Sequence, residues 1–322
     1  MRLLYRFALG GLLSSGLVGA PHAQTSPAKP VRIVIPFAPG GGSDVVGRIL
    51  AQKLGETTGQ TYIVDNRPGA SGNIAFEFVA RSEPDGYTFM NSTPGLVTNP
   101  TLYRKVNYKV DDFVAITLIG EAPLAISVHP SLPVHSIAEL VQLAKRKPGE
   151  VRYGSVGAGS SSHLATELFR VMAGIDMVHV PYKGGPQVLQ DVISGQIEMT
   201  SLPLNESMPQ VRAKRVRALA QTGARRSSIA PDLPTMEEAG FKGYAMSTWY
   251  VIIGPAAIPS DAVNRFNGEI VKVLKFPDVQ ERLKAAGVGD IIGSTPAEAA
   301  QFLKAEFAKW SKLIQASGIK AE

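Results

Sequence analysis

Two loops rich in glycine and hydroxyl residues contain the residue types in this chain that are best suited to binding a ligand. The first loop spans residues 39–44 and follows an apolar, β-branched run that starts at Val31; the second spans residues 155–163 and follows a similar run at Val151. Each loop leads directly into an amphipathic helix. Such a unit presents unpaired backbone N–H groups and the positive end of a helix dipole, so each loop predicts an anion site. For either loop alone, a tight turn that binds nothing is an equally good interpretation.

Side chains at the two helix starts favour reversible binding of a carboxylate over its chemical conversion. Ser160, Ser161 and Ser162 supply hydroxyl donors without charge, and His163 can donate to an anion or act only as a cap. Asp44 could pair with an ammonium group of a ligand, but a carboxylate in the first turn also stabilises its own helix, and this second interpretation is favoured. We expect the helix to be capped by Ser43. The sequence predicts a binding site without a general acid, a general base or a nucleophile.

Motifs for common catalytic sites are missing from the sequence. Gly157 begins a dinucleotide-binding pattern, but Ser162 occupies the place of its third glycine, and neither loop is followed by the Gly-Lys-Ser/Thr of a phosphate loop. There is no Gly-x-Ser-x-Gly elbow. The five histidines show no metal-ligand spacing, and the absence of cysteine excludes a thiol nucleophile, a disulfide framework and a lipoprotein anchor. We therefore expect neither a metal nor a cofactor, and an exported α/β enzyme that acts on a carboxylate remains the alternative class.

Composition and charge predict an exported globular protein. The chain has 322 residues, of which 44% are hydrophobic and 19% charged, so two domains are expected. Residues 1–23 have a basic start, an apolar middle and a small-residue end, which predicts a signal peptide and a periplasmic location; cleavage after Ala23 is preferred, and residues 26–28 offer a second site. Without Arg2 and Arg6 the net charge falls from +6 to +4, because 31 basic residues then face 27 acidic ones. This small, dispersed excess does not predict nucleic-acid binding.

The order of predicted elements indicates two α/β lobes. Strands and helices alternate over residues 31–91, which predicts a parallel sheet with right-handed crossovers. Two long β-rich passages without helices, at 114–129 and 244–254, flank a second α/β series that includes a brief helix at 235–239, and the chain ends in helices. We interpret the two passages as crossings between lobes, with a hinged cleft between them as the site. Trp249 and Tyr250 lie on the second crossing, where an aromatic side chain could equally wall the cleft or pack the hinge.

Six segments in a fixed order carry a family resemblance. They are IVIPFAPGGGSDVVGRILAQKLGETTGQTYIVDNRPGASGNIAFEFVARSEPDGYTF, YGSVGAGSSSHLATELF, VPYKGG, GQIEM, LPTMEEAG and the segment around Trp249. Together they resemble the Bug/TctC family of extracytoplasmic solute receptors, which are associated with tripartite tricarboxylate transporters. The likeness covers nearly all of the chain that would remain after export, and the combination is specific although each segment alone is not.

The resemblance implies an α/β, two-lobed periplasmic-binding-protein fold of the Venus flytrap, type II-like kind, with two crossover strands and a mostly parallel, helix-flanked sheet in each lobe. Lobe 1 would comprise residues 30–126 plus 247–322, and lobe 2 residues 127–246. It implies a monomeric receptor, not an enzyme, that binds a small carboxylate and contacts membrane transporter subunits; a sensory partner is the alternative. The implied ligand contacts are Phe37, Pro39, Gly41, Gly42, Ser43, Asp44, Thr93, Ser155, Gly159, Ser160, Ser161, Ser162, His163, Tyr182, Lys183 and Trp249.

The sequence departs from the family pattern after the GQIEM segment. Ser201 and Leu202 stand where the family usually has an aromatic residue and then an aspartate, the glycine expected near Lys214 is missing, and Val251 replaces a glycine. Family members that recognise amines through an acidic residue in that region are therefore poor guides to this chain. The first loop keeps the family pattern, so carboxylate binding is expected while the far end of the ligand is left open.

Overall fold

The computed structural model describes residues 29–317, so the predicted signal peptide lies outside the described residues. The elements of the first half are β1 (Val31–Ile35), α1 (Gly42–Thr58), β2 (Tyr62–Asn66), α2 (Asn73–Ala80), β3 (Thr88–Ser92), α3 (Gly95–Leu102), β4 (Phe113–Val128), α4 (Ile137–Arg146), β5 (Arg152–Ser155) and α5 (Ser161–Ala173). They are followed by β6 (Val178–Pro181), α6 (Gly185–Ile193), β7 (Met199–Pro203), α7 (Leu204–Arg212), β8 (Arg217–Gln221), β9 (Ser247–Pro255), α8 (Ser260–Val273), α9 (Pro277–Ala285), β10 (Asp290–Ile291) and α10 (Pro296–Ser317). Within the described residues, no helix is both long and apolar enough to cross a membrane.

The strands form one mixed sheet path in the order β2-β1-β3-β9-β4-β7-β5-β6, with β8 and β10 also paired to β4. We call the part with β1, β2, β3, β9 and β10 lobe 1, and the part with β5 to β8 lobe 2. Each lobe has three parallel strands, as predicted. The crossing strands β4 and β9 run antiparallel to their neighbours, because they enter from the other lobe and not through a helical crossover. The two-lobed α/β fold is thus confirmed, with a more mixed sheet than expected.

Both crossings are hydrogen-bonded to Thr222. Strand β4 pairs with β9 through Pro123 and with β7 from Leu124 onward, so it passes between the lobes at this point. The N–H of Leu124 donates to Oγ1 of Thr222 at 2.9 Å, and the same oxygen donates to the carbonyl of Met246 at 2.6 Å. Met246 directly precedes β9. The side chain of Thr222 therefore connects the two strands of the hinge. The lobe limits that the sequence predicts, at residues 126 and 246, lie close to this connection and remain a prediction.

Close packing of α1 on β1 fixes the position of the first loop. Ile33, Ile35 and Leu50 are fully or almost fully buried in the core between these two elements. A β-carbon on Gly47 would lie 2.5 Å from Cδ1 of Ile35, so the helix can approach the strand this closely only with glycine at that position. The N-terminus of α1 is thereby held above the end of β1, where the predicted site begins.

Several local predictions differ from the structure. Helix α1 begins at Gly42 with Gly41 at the cap position, so Ser43 is not the cap; its side chain is buried against the backbone of Asn91. The predicted helix at 235–239 is a turn, because only a few residues separate Pro234 from Gly240 and a helix of this length does not propagate. Helix α3 was not predicted, since it contains glycine and an internal proline; burial of most of its residues stabilises it.

Candidate ligand-binding cleft

A partly enclosed pocket of about 50 Å³, called the enclosed pocket from here on, lies between the two lobes. It has room for only a few water molecules. The lobes meet beside it, because the N–H of Gly42 in lobe 1 lies 3.0 Å from Oε1 of Glu206 in lobe 2. Lobe 1 contributes the loop after β1, the first turn of α1 and residues of β9, and lobe 2 contributes the start of α5, the loop before α6 and the β7–α7 junction. The lining residues are Phe37, Ala38, Gly41, Gly42, Ser43, Thr93, Leu124, Val156, Ser161, Ser162, Gly184, Gly185, Leu202, Pro203, Glu206, Thr248 and Tyr250.

The second loop is organised by serine hydroxyls at the start of α5. Ser160 is the cap of this helix: its hydroxyl accepts from the N–H of His163 at 3.4 Å and donates to the carbonyl of Gly157 at 2.6 Å. The hydroxyl of Ser162 accepts from the N–H of Val156 at 3.0 Å. These bonds hold the first turn of α5 at the pocket wall, opposite the first turn of α1. Two positive helix ends, one from each lobe, therefore border the same pocket.

Glu206, in the first turn of α7, reaches across the cleft to the first loop. Its Oε1 accepts a hydrogen bond from the N–H of Gly42 at 3.0 Å. A β-carbon on Gly185 would overlap Oε2 of Glu206, so the carboxylate fits because residue 185 is glycine. Burial raises the pKa of Glu206 to about 7, although the bond from Gly42 acts in the opposite direction. Among the described lining residues of the enclosed pocket, Glu206 is the only one with an ionisable acidic or basic group other than the phenol of Tyr250.

Four largely buried residues with hydroxyls that have no protein partner surround the same space. The side chains of Thr93, Ser161, Thr248 and Tyr250 are between 1% and 8% exposed, and no hydrogen bond joins their hydroxyls to a described residue. Burial raises the pKa of Tyr250, with the charge of Glu206 as a second cause, so its phenol keeps its proton. These hydroxyls are open to the pocket and can hydrogen-bond a polar ligand there.

A wider cavity of about 900 Å³ lies beside the enclosed pocket. Phe37 and Val156 line both spaces and therefore stand between them. The other lining residues include the predicted site residues His163, Tyr182 and Lys183, together with Gly69, Ala70, Ser71, Tyr103, Tyr153, Gly157, Ala158, Glu167, Arg170, Met177, Val178, His179 and Pro181. This outer cavity gives the cleft room for a longer ligand than the enclosed pocket alone.

His163 is a neutral structural residue and not a cation for an anionic ligand. Its Nδ1 accepts from the N–H of Gly159 at 3.1 Å, and its ring lies 4.3 Å from that of His179. Burial, with a smaller contribution from His179, lowers the pKa of His163 to about 3. Burial likewise lowers the pKa of His179 to about 4, and its Nε2 shares a 2.6 Å hydrogen bond with the hydroxyl of Ser155. Both rings are therefore uncharged at neutral pH.

Asp44 organises the first loop and does not line the pocket. Its Oδ2 accepts from the N–H of Gly40 at 3.0 Å and from Nε of Arg48 at 2.9 Å, and its Oδ1 accepts from the amide of Asn66 at 2.9 Å. Burial alone would raise its pKa, but these bonds hold the pKa below its ordinary value. The geometry agrees with the interpretation that Asp44 stabilises its own helix and loop.

Trp249 packs on α10 and lines neither cavity. Its Nε1 donates to Glu306 at 3.1 Å, and its ring meets that of Phe302 edge-on at 5.6 Å. Of the two interpretations, packing away from the cleft fits Trp249. The neighbouring Tyr250 lines the pocket, because successive strand residues point to opposite faces.

Some of the remaining predicted residues line the enclosed pocket, and the others lie outside it. Those that line the enclosed pocket are Phe37, Gly41, Gly42, Ser43, Thr93, Ser161 and Ser162. Pro39 is exposed, and Ser155, Gly159 and Ser160 are buried in the second loop behind the pocket wall. Glu206 and Thr248 were not predicted, and Tyr250 was considered only as an aromatic residue that could wall the cleft or pack the hinge. For Glu206 a signal was available, since an acidic residue opens a helix that directly follows a buried strand, the same arrangement that drew attention to Asp44.

Comparison with known proteins identifies the family. A profile described as "Tripartite tricarboxylate transporter family receptor", TctC, matches residues 46–319. The UPF0065 protein in the tcbD-tcbE intergenic region of Pseudomonas sp. (strain P51) is 35% identical over 97% of this chain and 93% of its own length. The solved structure of an R. palustris protein with adipate has a TM-score of 0.87 and 37% identity, covering 92% of this chain and 99% of that one. MatC from Rhodopseudomonas palustris, solved with bound malate, has a TM-score of 0.84 and 27% identity, covering 90% and 100%.

Proposed function

This chain belongs to the tripartite tricarboxylate transporter receptor family, and we propose that it binds a small carboxylate-bearing metabolite in the periplasm and delivers it to a tripartite membrane transporter. The family and its solved members are solute receptors, in agreement with the prediction that the chain is not an enzyme. Export through the predicted signal peptide at 1–23 and contact with transporter subunits are parts of the proposal.

The observation that carries the proposal is the enclosed pocket between the two lobes. Its walls include the first turns of α1 and α5, one from each lobe, together with the hydroxyls of Thr93, Ser161 and Thr248. Helix N-termini and hydroxyls bind a carboxylate through hydrogen bonds without reacting with it. Because the walls come from both lobes, a ligand completes its contacts only when the lobes meet, and its binding energy is thereby coupled to closure. The solved relatives with adipate and malate support a small organic acid as the ligand.

The test is a thermal-shift and calorimetric screen of the purified protein against mono-, di- and tricarboxylates and amino acids, starting with adipate and malate. A true ligand at about 100 times its Kd should stabilise the protein by about 2.7 kcal/mol, and it should be recovered unchanged. Turnover of a carboxylate, or a complete lack of stabilisation across the panel, would contradict the proposal. Loss of uptake of the identified ligand in cells lacking this protein would test delivery to a transporter.

A further inference from the structure

We infer that the ligand of this cleft carries a protonated amine as well as a carboxylate, and that Glu206 binds the amine. This inference rests on the proposed receptor function and narrows its ligand class to aminocarboxylates.

The first step is that the enclosed pocket has an acidic side chain and no basic one among its described lining residues. Glu206 contributes a carboxylate, and none of the described lining residues is a lysine, an arginine or a histidine that could compensate it. A carboxylate placed beside Glu206 would bring a second negative charge close to the first, and like charges at short range repel each other. An ammonium group placed there would meet an opposite charge.

The second step is the distribution of hydrogen-bond donors. The N–H of Gly42, at the start of α1, already donates to Glu206. At the start of α5, the backbone N–H groups of Ser161 and Ser162 have no partner among the described residues. The hydroxyl of Ser161 is likewise unpaired and only 8% of that residue is exposed. The pocket therefore has an anion-binding side at α5 and an acidic side at Glu206, which is the arrangement that a zwitterionic ligand requires.

The third step is that no neighbouring group neutralises Glu206. The elements packed against it present the backbone of Gly42 from α1, Gly185 from α6 and the phenol of Tyr250 from β9. Tyr250 stays protonated and can donate a hydrogen bond but carries no charge. Asp44, in the same turn of α1 as the pocket wall, is paired with Arg48 and adds no cation.

An acidic residue lies close to the position where the sequence departs from the family pattern. Leu202 stands where the family usually has an aspartate, and this argued against amine recognition. Leu202 and Glu206 line the same pocket, with Glu206 four positions later on the first turn of α7. The acidic group is thus present in this pocket but is supplied by a different residue.

The test is calorimetry on the wild type and on Glu206→Gln with matched pairs of equal chain length. The pairs are 6-aminohexanoate and adipate, 5-aminopentanoate and glutarate, and 4-aminobutanoate and succinate, with 2-aminoadipate and glutamate as α-amino members. In the wild type, the best aminocarboxylate should bind at least tenfold more tightly than its matched diacid. In Glu206→Gln, which keeps an oxygen acceptor for Gly42, that aminocarboxylate should bind roughly ten- to a hundredfold more weakly, and the diacid equally well or better. Glu237→Gln, an exposed glutamate of lobe 2, is the matched control and should change neither affinity.

The pH dependence of ligand affinity tests the role of Glu206 independently. An ammonium partner requires an ionised Glu206, so binding should release protons and tighten from pH 6 to pH 8. A diacid that shared a proton with Glu206 would take up protons and bind more weakly over the same range. Glu206→Gln should abolish this dependence in either case.

The outcomes separate the two proposals. Tighter binding of diacids than of every aminocarboxylate in the wild type, or an unchanged ratio in Glu206→Gln, overturns the inference and leaves the receptor function intact. Lack of binding by every carboxylate of both series overturns the receptor function and the inference together.

Discussion

Gly159 and Asn99 meet across the cleft so closely that a β-carbon on Gly159 would overlap Oδ1 of Asn99. Gly159 has a φ of +88°, and its carbonyl oxygen accepts a 3.1 Å hydrogen bond from the hydroxyl of Thr98 in lobe 1. The hydroxyl of Tyr103 donates to the adjacent carbonyl of Ala158 at 2.7 Å. Backbone atoms of the second loop therefore close the lobes, and they reach lobe 1 because residue 159 has no side chain.

Replacing Gly159 with alanine should keep the lobes from closing. The new β-carbon would displace Asn99 and break the bond to Thr98, so we expect at least tenfold weaker ligand binding. Small-angle scattering at saturating ligand should show a larger radius of gyration than for the wild type. The cost of the positive φ, about 1–2 kcal/mol, should appear in urea unfolding.

Gly240→Ala is the matched control for Gly159→Ala. Gly240 has a φ of +101°, but a β-carbon there would meet nothing within 4 Å. Gly240→Ala should lower the free energy of unfolding by about as much as Gly159→Ala does, and it should leave ligand affinity and closure of the lobes unchanged. Equal affinities of the two variants would show that contact between Gly159 and Asn99 is not needed for closure.

A β-carbon at Gly42 should block the enclosed pocket. It would lie 2.6 Å from the hydroxyl of Tyr250, whose ring is buried and cannot move away freely. We expect Gly42→Ala to weaken binding of the identified ligand at least tenfold by calorimetry. Gly55→Ala lies in the same helix and would make only an ordinary 3.5 Å contact with the carbonyl of Gln60; it should leave affinity unchanged and raise stability by about 0.5–1 kcal/mol. Equal affinities for these two variants would place the ligand elsewhere.

Patterns with strong periodicity predicted the fold well. The apolar run of β1, the alternation of strands and helices, and the two helix-free passages that became β4 and β9 all lie where the sequence indicated them. Ser136, a residue type that favours the helix cap, caps α4 by accepting from the N–H of Glu139. Helix α3 escaped prediction because its sequence, with Gly95 and Pro100, has low helix propensity, and only tertiary burial stabilises it.

The candidate site could be predicted only in part. The glycine and serine loops are local features, and residues such as Gly42 and Ser162 do line the pocket. Glu206 and Tyr250 come from elements more than 160 positions away from Gly42, and only the folded chain brings them to it. The roles of Asp44 and His163 also depended on partners such as Arg48 and Gly159, which spacing alone does not identify as hydrogen-bonded.

Removing the charge of Asp44 should lower stability without weakening ligand binding. The pKa of Asp44 in the folded protein is below its ordinary value. The carboxylate therefore stabilises the fold at any pH above the ordinary pKa, and this stabilisation is lost as the pH falls through the lowered pKa. We expect Asp44→Asn to cost about 1–2 kcal/mol in urea unfolding at pH 7 and less near pH 3.

Asp278→Asn is the control for Asp44→Asn, because Asp278 also opens a helix and pairs with a cation, Lys53, but its side chain is 53% exposed. It should change stability less than Asp44→Asn does. A loss of ligand affinity in Asp44→Asn with unchanged stability would instead place Asp44 in contact with the ligand.

Neutral, buried His163 should make the protein sensitive to acid. Its pKa falls from an ordinary value of 6.5 to about 3, so between these values the unfolded chain binds a proton that the folded chain does not. The stability that the fold gains by keeping His163 neutral is therefore fully present above pH 6.5 and is lost progressively as the pH falls. At pH 5 the loss amounts to about 2 kcal/mol for this one residue. Urea unfolding at pH 7 and pH 5 measures it.

His163→Asn removes the titration but keeps an oxygen near the position of Nδ1 to accept from the N–H of Gly159. The variant should be less stable than the wild type at pH 7, because the ring contacts with Tyr153 and His179 are lost. It should then lose about 2 kcal/mol less than the wild type on acidification to pH 5. His135→Asn changes an exposed histidine and should follow the wild type at both values. If His163→Asn loses as much stability on acidification as the wild type, the folded protein must protonate His163 as readily as the unfolded chain does, and the ring would then be free to carry charge at the outer cavity.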